Sequence, residues 1–254
     1  MSNKKRSSTK RTKAIRRLDE TTPFAIRESF NQLRTNIMYT PNDEEGCPVY
    51  GITSAEMGVG KSTVSSNLAI SFSQIGKKVL LIDADMRRPS QHKFFDYEKK
   101  QAGLSELLTG IAQNDSAVIC TPREGINVIT SGCIPPNPSE LLLSKKFGEY
   151  MSEWKQRYDI IFIDLPPVGI VSDPLTIAQK LNGYIFIAMA NVSDSHHVNK
   201  AINSIQQVGG KITGLVVNAS SRKSEGRRTY GYKYGYRYGY RYSYNYGYYS
   251  HDDN

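Results

Sequence analysis

VYGITSAEMGVGKST, residues 49–63, decides how the rest of the chain is read. VYGITS (49–54) reads as a strand. AEMGVGKST (55–63) fits a phosphate-binding loop, with Ala55 where the first glycine usually stands. Gly58 and Gly60 permit the tight backbone that turns N–H groups inward on a phosphate. The expected cradle is Met57, Gly58, Val59, Gly60, Lys61, Ser62 and Thr63. Lys61 supplies a cation for the terminal phosphates. Ser62 supplies a hydroxyl ligand for Mg²⁺ at a helix N-terminus, where the dipole also favours anions. The bland alternative is a glycine-rich turn before an ordinary helix.

Around this loop the pattern alternates. Val64, Leu68, Phe72 and Ile75 share one face of the helix that follows, and Gly76 is its stop. KVLLIDAD (78–85), GINVITSG (125–132), YDIIFIDLPP (158–167), GYIFIAMA (183–190) and ITGLVVN (212–218) read as further strands. Ser139 can cap a helix carrying Leu142, Phe147, Tyr150, Met151 and Trp154, and another helix precedes the last strand. Upstream, Thr22-Pro23 opens a helix with Ile26, Phe30, Leu33 and Ile37 in one stripe. Apolar strands separated by helices imply an α/β fold of the P-loop NTPase type: a mostly parallel central sheet with helices on both faces. Ligands of such sheets bind beyond the carboxyl ends of the strands.

The carboxylates fall at those ends. Asp83 and Asp85 close one strand and Asp164 closes another. Alone, each could simply cap a strand end. Beside a phosphate loop they form a cluster facing a Mg-nucleotide. One holds Mg²⁺ through its waters and one is free to take a proton from a nucleophile. A nucleotide and Mg²⁺ are therefore the expected ligands. Other residues carry weaker signals. His196-His197 suits a surface or capping role, Arg87-Arg88 either steers phosphates or is solvated, and Trp154 belongs to a core.

The net charge of +9 lies in the chain's two ends. Residues 1–20 hold eight Lys/Arg against Asp19 and Glu20, and residues 222–254 hold seven against three acidic groups. The expected organisation is a basic disordered arm (1–20), a P-loop domain (21–221) and a flexible tyrosine-rich tail (222–254). Three widely spaced cysteines suggest reduced thiols in the cytoplasm. No apolar run reaches the ~20 residues that span a bilayer.

Phosphate loop, Asp-x-Asp-x-Arg (Asp83, Asp85, Arg87) and Asp-x-x-Pro (Asp164, Pro167) together resemble the Walker A, A′ and B set of bacterial tyrosine kinases, the capsule and exopolysaccharide regulators. IRESFNQLRTNI (26–37), GLSELLTG (103–110), PPNPSELL (135–142) and DPLTIA (173–178) stand where that family has similar stretches. The resemblance covers roughly residues 20–220, and the tyrosine-rich tail is itself a family feature. It implies a Mg-ATP-dependent protein-tyrosine kinase. Lys61 would hold phosphate, Ser62, Asp85 and Asp164 would serve the metal, and Asp83 would act as base. Asn218 would lie near the adenine, where a strand-end turn is the other reading.

The same resemblance implies a homo-oligomeric ring using Glu28 and Arg34 of a Glu-x-x-Arg-x-x-Arg motif. Its middle position here is Asn31. It further implies a membrane adaptor on a separate chain, which would place this protein at the inner face of the membrane, and an opposing tyrosine phosphatase. The runner-up is an ATP-dependent positioning switch, as in the partition and cell-division ATPases. Those carry a signature lysine where this chain has Glu56.

The tail then has a reading. Tyr230, Tyr232, Tyr234, Tyr236, Tyr238, Tyr240, Tyr242, Tyr244, Tyr246, Tyr248 and Tyr249 alternate with small or basic residues and make candidate phospho-acceptors. Each phosphate adds about −1.5 to −2 charges, so a few would reverse the tail's sign. Two other readings stay open: stacking on single-stranded nucleic acid, and low complexity without a specific role. The acceptor reading expects no nucleic-acid partner.

Overall fold

The structure, a computed structural model, describes residues 17–41, 46–97 and 102–219. Most of the basic arm (residues 1–16) and the tail with its candidate acceptors, Tyr230 to Tyr249, lie outside the described residues.

In chain order the elements are α1 (Phe24–Met38), β1 (Val49–Ser54), α2 (Lys61–Ser73), β2 (Val79–Asp83), α3 (Gln91–Phe94), α4 (Leu104–Thr109), β3 (Ile119–Arg123), β4 (Ile126–Ile129), α5 (Pro138–Leu143), α6 (Lys145–Arg157), β5 (Ile160–Asp164), α7 (Asp173–Thr176), β6 (Gly183–Met189), α8 (Ser195–Gln207) and β7 (Ile212–Asn218). The strands form one sheet in the order β3-β4-β2-β5-β1-β6-β7. Every pairing is parallel except β3 with β4.

Burial explains the unbroken apolar strands. Successive residues of β2 and β5 go to opposite faces, and both faces are covered. Leu80, Ile82, Ile161 and Ile163 pack with Leu104 and Leu107 of α4, Leu142 of α5 and Phe147 and Trp154 of α6. Val79, Leu81, Ile160 and Phe162 pack on the other side with Val64, Leu68 and Phe72 of α2. Each such fully buried side chain contributes about 1.5–3 kcal/mol over an exposed one. Trp154 is a core residue, and its Nε1 donates to Asp115 at 2.8 Å.

Four details depart from the sequence reading. The edge strand β3 was not anticipated: ICTPR has no apolar run and contains a proline, which an edge strand tolerates. The helix expected from Ser139 through Trp154 is two helices. The chain turns to ψ 149° at Ser144, whose hydroxyl caps α6 by accepting from Phe147 N at 3.2 Å. Ser139 does not cap; its hydroxyl donates to Asp173. At α1 the N-cap position is Pro23, one residue later than expected, and Thr22 is buried. Finally, residues 17–20, assigned by composition to the basic arm, include an anchor. Leu18 is 3% exposed and its N–H donates to Asn67 Oδ1 of α2 at 2.7 Å.

Candidate active site

The site is assembled at the carboxyl ends of β1, β2, β5 and β7. β1 passes into the phosphate loop, where Gly58 and Gly60 take φ values of +77° and +95°, the left-handed region that only glycine enters freely. Gly60 is constrained twice. A Cβ there would lie 2.2 Å from Asn218 Nδ2. That amide, at the end of β7, donates to Val59 O at 2.9 Å and braces the loop. Lys61 is only 8% exposed and opens α2, whose thirteen residues present an N-terminal dipole to the loop. Ser62 is half-buried, while Met57 and Thr63 are exposed.

The flank of the loop is held as well. Glu56 Oε1 accepts from Asp194 N at 3.3 Å and lies 3.5 Å from His197 Nδ1. Asp194 caps α8, accepting from the N–H groups of His196 and His197. The two histidines thus sit on the surface at a capped helix start.

Asp83 and Asp164 are aligned partners across the β2–β5 pairing, and both have no solvent exposure. Asp83 Oδ2 accepts from Ser90 N at 3.0 Å and Gln91 N at 2.9 Å. Asp164 Oδ2 accepts from Gln91 Nε2 at 2.7 Å. The other oxygen of each, Oδ1, is buried with no hydrogen-bond partner among the described residues. Burial raises the Asp83 pKa well above the usual carboxylate range, and the charge of Asp164 adds to it. Burial likewise pushes Asp164 up to about 6, against the pull of Lys61, Ser62 and Gln91. Asp85 is 8% exposed and accepts from Arg88 N at 3.0 Å.

Arg87, for which phosphate steering and solvation were both open, is instead committed to an ion pair. It holds Asp173 by two bonds of 2.7 and 2.9 Å. Asp173 is fully buried and also accepts from Ser139, so α5, α7 and the segment leaving β2 meet at one carboxylate. On α1, Glu28 is exposed and accepts from Asn31 at 3.3 Å. Arg34 turns inward and donates to Ser71 O and Oγ at 2.7 and 2.9 Å.

Of the expected site residues, the structure therefore brings together the loop, Lys61, Asp83, Asp85, Asp164 and Asn218, and places Glu28 and Arg34 away from them on α1. Two buried carboxylate oxygens without partners, beside a buried lysine and a phosphate cradle, fit a hydrated divalent cation with a nucleotide phosphate. Among the described residues no three His, Cys, Asp or Glu side chains converge as a metal cage. Gln91 was missed by sequence reasoning. It lies in no motif, and only its burial and its contacts single it out.

A parallel sheet with this loop and these carboxylates defines a P-loop nucleotide-binding protein. The ParA family model, described as NUBPL iron-transfer P-loop NTPase, matches residues 48–247. The chain is 37% identical over 204 residues to the tyrosine-protein kinase CpsD of Streptococcus agalactiae serotype Ia, covering 80% of this chain and 85% of that one. Among solved structures, the kinase domain of Escherichia coli tyrosine kinase ETK superposes with a TM-score of 0.73 at 32% identity, covering 81% of this chain and 80% of that one. The chimerical protein CapA2B2 gives 0.74 at 35% identity, covering 80% and 88%. The chain belongs to the bacterial tyrosine-protein kinases, within the ParA-type P-loop NTPases.

Proposed function

We propose that this chain transfers the γ-phosphoryl group of Mg-ATP to tyrosines of its own C-terminal cluster, Tyr230 to Tyr249, on a neighbouring copy, and so regulates capsule or exopolysaccharide synthesis. The observation that carries the reading is the pair of buried, half-satisfied carboxylates facing a phosphate loop. Lys61 and the N–H groups of 57–63 bind and orient the phosphates. Ser62, with Asp85 and Asp164, would hold Mg²⁺ and its waters, and the ion supplies charge neutralisation on the phosphates. Asp83 is the base. Its Oδ1 has no partner and is left to accept the phenolic proton, and burial beside Asp164 raises its affinity for that proton. The phenolic oxygen forms a bond to the γ-phosphorus, the bond to the bridging oxygen breaks, ADP leaves, and the phenolic proton goes to Asp83. Asn218 braces the loop and borders the nucleobase.

The partners follow from family membership. We infer a homo-oligomer that presents tails in trans, a membrane adaptor that activates the kinase, and a phosphatase that resets it. Among the described residues no helix is long and apolar enough to cross a membrane. The arm's Lys/Arg residues would help hold the chain at an anionic leaflet, at about 1 kcal/mol per charge near the surface.

The test is intact mass after incubation with Mg-ATP, alone and with an adaptor's cytoplasmic segment, beside an Asp83→Ala control. A ladder of ~80 Da steps mapping to peptides from 230–249, absent in the control, is the expected result. ATP hydrolysis without any mass gain under either condition would instead favour a positioning switch with the tail as a binding surface.

A further inference from the structure

Gln91 is the most connected side chain of the site and has no role in the chemistry described so far. It is fully buried. Its Nε2 donates to Asp164 Oδ2 at 2.7 Å and Ser65 Oγ at 2.9 Å, with a longer contact of 3.3 Å to Ser62 O. Its Oε1 accepts from Ser66 Oγ at 2.5 Å. Its main-chain N–H donates to Asp83 Oδ2 at 2.9 Å. One residue thus touches both carboxylates that face each other across β2 and β5, and ties them to the first turns of α2 behind the phosphate loop.

We infer that Gln91 is a positioning residue for phosphoryl transfer: its side-chain amide fixes the orientation of Asp164, so that Oδ2 is occupied and Oδ1 is left for the reaction. The inference rests on the proposed reading of this site as the transfer centre. A carboxylate can rotate about its Cβ–Cγ bond, and burial alone does not choose its angle. Here the Gln91 side-chain amide makes the choice for Asp164, while the main-chain N–H groups of Ser90 and Gln91 make it for Asp83. In each case Oδ2 is taken and Oδ1 remains. The amide oxygen cannot swap places with the nitrogen without setting an acceptor against a carboxylate, so Asp164 in turn fixes the amide's own orientation.

Gln91 is held in turn by the short helix it begins. The other end of α3 is clasped by the N-terminal segment. Arg17 Nε donates to Phe94 O at 2.8 Å, its guanidinium pairs with Asp96 at 2.5 Å, and it lies about 6 Å from the Phe94 and Phe95 ring centres. α3 is therefore held at its start through Gln91 and at its end through Arg17.

The experiment compares Gln91→Leu and Gln91→Glu with the wild-type full chain. It reads ADP release, phosphotyrosine, nucleotide affinity without divalent metal, and melting of the nucleotide-free protein. Both variants keep the volume, and neither keeps the NH₂ donor. The expected result is a fall of about 10- to 100-fold in kcat, the usual effect of losing a group that orients a site's ligands. Nucleotide affinity should stay within about 3-fold and melting should remain cooperative, a split that a packing role would not produce. A kcat within about 3-fold of wild type in either folded variant overturns the inference. So does an equal loss of affinity and kcat, or failure of both variants to fold, since each assigns Gln91 to the fold alone. If the wild type releases ADP but makes no phosphotyrosine, the tyrosine-transfer reading fails, and the role of Gln91 is still read from ADP release.

Discussion

Asp83 and Asp164 are kept in the chain at a cost to its own stability. A carboxylate whose folded pKa lies above its unfolded value binds a proton more tightly in the native state. No penalty exists below the unfolded pKa, near 3.8. It grows as the pH rises toward the folded pKa, about 6 for Asp164, and is constant above. Asp164→Asn should therefore stabilise the nucleotide-free protein at pH 8 by up to about 3 kcal/mol, an order-of-magnitude figure from the span of the shift. The gain should shrink toward zero near pH 4, and denaturant unfolding at the two pH values checks it. The same substitution should abolish ATP turnover, the trade expected where a strained site is functional. In the sequence these two aspartates could be seen as strand-ending acids beside a phosphate loop. That they are register partners with one empty oxygen each could not be seen, because pairing between distant strands is not written locally. Gln91 is the sharper case. It stands between Ser90 and His92 like any loop amide, and only the folded sheet and α2 surround it.

Elements were readable where both faces of a strand are buried, since that demands an apolar run of the right length. β1, β2, β5 and β6 met that condition, β4 is shorter than expected, and the edge strand β7 was placed by its apolar run although none of its residues is fully buried. β3 was not, because an antiparallel edge strand needs no such run. The break at Ser144 was hidden by an apolar periodicity that continues across it; the two helices share a core, so their apolar residues look like one stripe. What fixes the joint between α5, α7 and the segment leaving β2 is Asp173, which takes two bonds from Arg87 and one from Ser139. Asp173→Ala should cost about 1–3 kcal/mol, because it strips partners from groups that are part-buried. The effect should be moderate, since Arg87 is 43% exposed and regains water. Thermal unfolding measures it, and hydrogen exchange should show lost protection at 87–91 and 139–142 with β6 and β7 unchanged.

The proposed assembly would depend on which face of α1 is free. Arg34 is spent inside its own chain, on the last turn of α2, whereas Glu28 and Asn31 remain toward solvent or half-buried beside each other. If the proposed ring uses this helix, the middle position of the motif is where association is set. Asn31→Arg should raise the oligomeric state at a given concentration, read by light scattering. An unchanged scattering profile would place the contacts elsewhere.

The ladder between β2 and β5 also works as a ruler. Its rungs set Asp83 opposite Asp164, and the side-chain period of two leaves no half-step. Adding one residue within β2 would keep its hydrophobicity and length nearly intact yet carry every later side chain to the opposite face, Asp83 included. The same addition after Gln113, on the exposed stretch beyond α4, displaces nothing in the sheet. A chain with the first insertion should lose nucleotide turnover and melt at lower temperature; a chain with the second should retain both. The loop tolerates a change of length, while the strand that carries the acid keeps count.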